Sequence, residues 1–173
     1  MRTIRSIALW LGLAASVATA SLFAPFDRRT QILGAELIVV GEVVSLRSRW
    51  NDSGTMIVTD AEVAVEEVWK GFPAADRLTV RTPGGVLGER GVFVDGAARF
   101  HAGERVLLFL DETAEGYAPW GMRFGAWEVI GAGAEAFAVG SPPPAPAAAP
   151  AVVSLPLEDL RSEVAAALEG QGR

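Results

Sequence analysis

His101 is the chain's one histidine, so triads and metal sites that need more than one imidazole are excluded. A polar role at the surface is the expected one. Paired carboxylates occur at Glu66-Glu67 and Asp111-Glu112, but neighbours on a strand point to opposite faces and cannot share one substrate bond. Asn51-Asp52-Ser53 carries oxygens suited to calcium without the spacing of an EF-hand loop, and ordinary turn chemistry accounts for it. Gly131-Ala132-Gly133-Ala134-Glu135-Ala136 has the dinucleotide pattern and follows a strand-like run. The pyrophosphate would need a helix N-terminus immediately afterwards, whereas Phe137-Ala138-Val139 and then prolines follow. No catalytic, metal or cofactor constellation is expected, and the chain reads as a binding protein rather than an enzyme.

The residues suited to recognition are aromatic and cationic. Thr82-Pro83-Gly84-Gly85, with Gly88 and Gly91, makes either a backbone nest for an anion or a mobile hairpin loop. Arg81, Arg90 and Arg99 would gather beside it if the loop folds over. Trp50 stands at a polar turn next to Arg49, where a ring is hard to bury and would serve as a hot spot or as a seal at the sheet rim. The expected binding surface comprises Trp50, Arg81, Arg99 and Trp120.

The N-terminal segment supplies an address. Arg2 and Arg5 precede an apolar run from Ile7 to Val17, and Ala18-Thr19-Ala20 places small residues where a signal peptidase needs them. The run is too short to span a bilayer comfortably, so cleavage after Ala20 is expected, an uncleaved anchor being the alternative. Residues 1–20 are thus read as a signal peptide and the protein as exported, secreted or resident in the periplasm or cell envelope. Their removal takes away two arginines and no acid, moving the net charge from −6 to −8. An acidic exported chain gains nothing from counterion release, which disfavours nucleic acid and anionic membrane surfaces as partners. With no cysteine there is neither a disulfide nor a lipoprotein anchor, so the fold must stand on its packing. Half of the residues are apolar, at a mean hydropathy of +0.30, which is enough to build one core.

Behind the candidate residues the pattern is that of strands. Residues 27–34 read as a short helix capped by Asp27, and Leu37-Ile38-Val39-Val40 opens a strand buried on both faces. Asn51-Asp52-Ser53-Gly54 turns the chain into a long strand over 55–69, where the doubled Glu66-Glu67 breaks the period of two and predicts a bulge. Further strands are expected at 77–81, 104–110, 117–120, 125–130 and 136–139, with a short apolar piece at 92–94. Seven or eight short strands with regular turns predict an antiparallel sandwich or barrel. The domain is expected over 21–140, a Pro/Ala linker over 141–150, and a tail over 151–173 with a helix at 157–168.

Four segments carry a resemblance. Ala35-Glu36-Leu37-Ile38-Val39-Val40-Gly41-Glu42-Val43, Val68-Trp69-Lys70-Gly71, Thr82-Pro83-Gly84-Gly85 and Gly103-Glu104-Arg105-Val106-Leu107-Leu108-Phe109-Leu110 resemble a group of uncharacterised exported bacterial domains. Their order is also similar to the OB-fold barrel of the netrin-like and tissue-metalloproteinase-inhibitor families. Those inhibitors act through an N-terminal cysteine and disulfides, which this chain lacks, so the resemblance implies the barrel and not the inhibition. The expectation is a mainly β, single antiparallel OB-like barrel with an N-terminal and a C-terminal helix, binding a protein or glycan on its face without catalysis. The alternatives are an envelope interaction protein acting through the C-terminal helix, or a hydrolase-like enzyme with its site in the glycine-rich loop.

Overall fold

A computed structural model describes residues 26–142 and 152–171. The expected signal segment, the arm expected to follow it and most of the expected Pro/Ala linker lie outside the described residues. The described chain is mainly β, with one eight-stranded sheet, a two-stranded hairpin and two helices. None of these helices is long and apolar enough to cross a membrane.

Helix α1 (Arg28–Gly34) starts where the Asp27 carboxylate accepts the Thr30 amide at 2.7 Å. It ends against β2 (Ile57–Lys70), whose last residue reaches back: Lys70 Nζ donates to the carbonyls of Ile32, Leu33 and Ala35 at 2.9, 2.8 and 2.5 Å. A cation thereby satisfies oxygens that the helix leaves without partners. Gly34 is needed within the helix because a Cβ there would stand 2.9 Å from the Trp120 ring.

Strand β1 (Leu37–Trp50) pairs along its length with β2 and, over its first six residues, with β6 (Arg105–Thr113). β2 continues to β3 (Arg77–Pro83), and β7 (Gly116–Pro119) joins β3 to β6, so that β1, β2, β3, β7 and β6 form a ring. The β3–β7 contact is parallel, with Val80 opposite Tyr117, which corrects the all-antiparallel expectation. β4 (Gly85–Leu87) and β5 (Arg90–Val92) make the separate hairpin. On the other side of β6 the sheet runs through β8 (Ala126–Ile130), β9 (Phe137–Gly140) and β10 (Val153–Pro156).

Two apolar clusters use opposite faces of the same strands. Leu37, Val39, Val106, Leu108 and Leu110 point into the ring with Val63, Leu78 and Val80. Ile38, Val40, Leu107 and Phe109 point outward, where α1 and α2 (Leu157–Glu169) cover them with Ile32, Leu160 and Val164. This double burial is why both strands read as continuous apolar runs. The boundary drawn at residue 140 is therefore not a packing boundary: β10 pairs with β9, and α2 fills the cluster around Trp127. The local pattern of 151–156 gave no strand signal because four residues ending in proline are too few to show a period.

Three register shifts mark β1 and β2. One leaves Glu66 unpaired between the Val40–Glu67 and Gly41–Val65 pairs, at the doubled glutamates. Another leaves Val44 extra between Val43–Val63 and Ser45–Glu62, and this one decides the faces. Before it, odd-numbered residues of β1 point into the ring. After it, Leu46, Ser48 and Trp50 do, opposite Ala61, Thr59 and Ile57.

Candidate functional site

Past the β1–β6 pairing, β1 and β2 run on together and leave the mouth of the ring open on one side. The β4–β5 hairpin and the segment 93–101 stand across that opening and enclose a groove of about 520 Å³. Its apolar wall includes Leu46, Val86, Val92 and Phe93, with Phe93 and Val86 each 70% exposed. Isolated exposed apolar residues are ordinary, but four around one concavity make a surface suited to a ligand.

The floor is polar and internally satisfied. Ser48 Oγ and Thr59 Oγ1 lie 3.0 Å apart, and Thr59 donates to the Gly84 carbonyl at 2.8 Å. Gly85, at a φ of +139°, lies so close over this pair that a Cβ would meet Thr59 Oγ1 at 2.3 Å and Ser48 Oγ at 2.6 Å. The glycine-rich loop thus works as a hairpin seated on the sheet.

Arg99 and His101 bring the groove's cationic and titratable groups. The Arg99 guanidinium carbon lies 4.3 Å from the Phe93 ring centroid, a cation–π contact that holds it at the rim. His101 is largely exposed, its Nδ1 3.2 Å from Glu104 Oε2, and no carboxylate lines the groove.

The four expected site residues do not form one surface. Arg99 lines the groove, and Trp50 shares the inward face of Leu46 and Ser48 while remaining 39% exposed. Arg81 lies on the outer face, opposite Asp60, with its side chain only 12% exposed. Its Nε donates to Asp60 Oδ1 at 2.6 Å, its Nη2 to Oδ2 at 3.0 Å, and its Nη1 to Glu115. These bonds push its pKa above the ordinary guanidinium value, Asp60 contributing most. Arg81 is thus a clamp between β2, β3 and the β6–β7 turn rather than a ligand contact. Trp120 packs on Gly34 and meets Phe26 edge-on at 4.8 Å, 89° between planes, at the helical side of the fold. Arg90, on β5, does not line the groove.

The doubled glutamates do not part to opposite faces as expected: the bulge at Glu66 breaks the alternation, and both reach Arg105, Glu66 at 2.5 Å and Glu67 at 3.8 Å. Glu67 also accepts from Trp69 Nε1 at 3.0 Å and from Arg161 at 2.5 Å, so these carboxylates are engaged by cations. Asp111 has a raised pKa, first because it is partly buried and then because Glu36 is near, with Lys70 opposing. Among the described residues no cluster of three or more His, Cys, Asp or Glu side chains could hold a metal ion.

Sequence reasoning passed over Phe93, Val86 and Val92 as groove residues. The short apolar piece at 92–94 was their signal, and only the hairpin's seat on β1 and β2 gave it a meaning. Comparison of the chain with protein-family models, with curated proteins and with solved structures returns no match.

Proposed function

We propose that this protein is an exported, non-catalytic binding domain of OB-like barrel form, which holds a protein segment or a glycan in the groove between the ring mouth and the β4–β5 hairpin. The observation that carries the reading is the groove itself: a concavity of about 520 Å³ with exposed apolar walls, hydroxyls on its floor and an arginine at its rim. The barrel form is supported by the five-strand ring, since OB folds are five-stranded Greek-key barrels that bind ligands on one face and its adjoining loops. Export rests on the N-terminal sequence pattern. The absence of a carboxylate from the groove lining weighs against the hydrolase alternative, because no acid–base pair converges there. The interaction reading through the C-terminal helix loses its apolar face, which Leu157, Leu160 and Val164 bury in the core.

The test is to pan a random-peptide display library and a glycan array against the chain from residue 21, then repeat with Phe93→Asp. Phe93 is exposed, so this variant should fold. Ligands that bind the parent and are lost from the variant support the reading. An absence of binders, or binders indifferent to Phe93→Asp and Arg99→Glu, would overturn it.

A further inference from the structure

The described arginines fall into two groups. Arg28, Arg49, Arg77, Arg81, Arg105 and Arg161 each reach a carboxylate. Arg29, Arg47, Arg90, Arg99 and Arg123 form no ion pair among the described residues. The chain has 21 acidic against 15 basic residues, so carboxylates are not scarce. Two of the unpaired five, Arg99 and Arg123, nevertheless line one cavity of about 320 Å³, and no carboxylate lines it with them.

That cavity adjoins the groove and shares Ala97, Ala98 and Arg99 with it. Ala126 of β8 and Val139 and Gly140 of β9 close it, with Ser141 and Val152 at its edge. Both guanidinium groups are steadied by rings: Arg99 over Phe93 at 4.3 Å and Arg123 over Phe124 at 5.1 Å. Holding the side chains in place lowers the entropy lost when they close on a ligand. Alanines and a glycine keep the walls short. Two like charges beside one cavity repel, and an anion between them converts that repulsion into two charge-assisted hydrogen bonds.

We propose that this second cavity binds a small oxyanion, a carboxylate or phosphate group, between Arg99 and Arg123. Arg99 lines both the groove and this cavity, whereas Arg123 lines this cavity alone, so the Arg123 variants separate this inference from the reading of the groove.

The experiment is calorimetric titration of the chain from residue 21, at about 150 mM salt to screen diffuse attraction. The probes are inorganic phosphate, citrate, and one short peptide with its C-terminus either free or amidated. Binding of any probe, weakened roughly tenfold or more by Arg123→Glu and by Arg99→Glu, is the expected result. Arg47→Glu and Arg90→Glu change the net charge equally but lie outside the cavity, and should leave affinity within about twofold. Arg123→Gln, which keeps the side chain's polarity and removes its charge, should fall between parent and Arg123→Glu. Preference for phosphate or citrate assigns the free anion, whereas a peptide that binds only with a free terminus assigns a chain end. No binding by any probe, or equal weakening by all four glutamate variants, would overturn the proposal.

Discussion

Asp60 shows how one carboxylate organises an outer face. Its partial burial would raise its pKa, but hydrogen bonds from Arg81 and then Arg49 outweigh that and hold it below the ordinary 3.8. A depressed folded-state value stabilises the fold above 3.8, and the contribution fades as pH falls through it. Arg81→Ala, which leaves a part-buried carboxylate with one partner fewer, should therefore cost about 2 kcal/mol at pH 7. The gap between parent and variant should narrow as pH drops below about 4, measured by urea midpoints across pH. A gap that widens in acid would show that Asp60 is not the partner concerned. At Asp111 the sign is opposite, since burial and Glu36 raise its pKa: Asp111→Asn should raise the melting temperature at pH 7. From sequence, Arg81 and Arg99 were equivalent cations near a glycine-rich loop. What separates them is the direction each side chain takes, and no local pattern encodes that.

At the scale of elements, one extra residue governs the groove. Val44 switches the parity of β1, turning Leu46, Ser48 and Trp50 toward the ring mouth. Deleting Val44 should return these three to the outer face and exchange them with Arg47 and Arg49, which strips the groove of its β1 wall. The expected readout is a red shift of Trp50 emission together with loss of groove ligands, against a Trp50→Phe reference. The bulge at Glu66 was legible because two acids in succession interrupt an alternation. The one at Val44 was not, since Val43-Val44 continues an apolar run without a break. Lys70 couples two elements in a similar way. Its replacement by Met leaves three carbonyls without their donor and should cost about 1–3 kcal/mol. Amide exchange in α1 should accelerate more than in β6.

For the whole molecule, the C-terminal segment is part of the fold. A chain ending at 142 would uncover Ile38, Leu107, Phe109 and Trp127, all nearly inaccessible in the full protein. Such a truncation should lose its cooperative thermal transition; the sequence showed the helix's apolar side but left open whether it docks on the barrel or serves a partner. Leu160→Ala, a milder probe of the same contact, should cost about 2–5 kcal/mol in urea. Retention of a parent-like transition by the truncated chain would show instead that the ring and its first helix carry the stability. Without a cysteine to cross-link it, the chain has no covalent support to offset that loss.

The sequence by itself determined what local chemistry determines: a mainly β chain, the turns, the apolar strands, the Asp27 cap, one pair of adjacent acids that becomes a bulge, and a composition without disulfides. Tertiary structure decided which of the sequence's cations and rings meet. Arg81 became a clamp, Trp120 a packing residue against Gly34, and Arg99 came to share a cavity with Arg123, which is 24 positions away in the chain. The physical reason is that a strand's side chains alternate, so each bulge inverts the faces beyond it. Ring closure then joins faces that sequence distance does not relate.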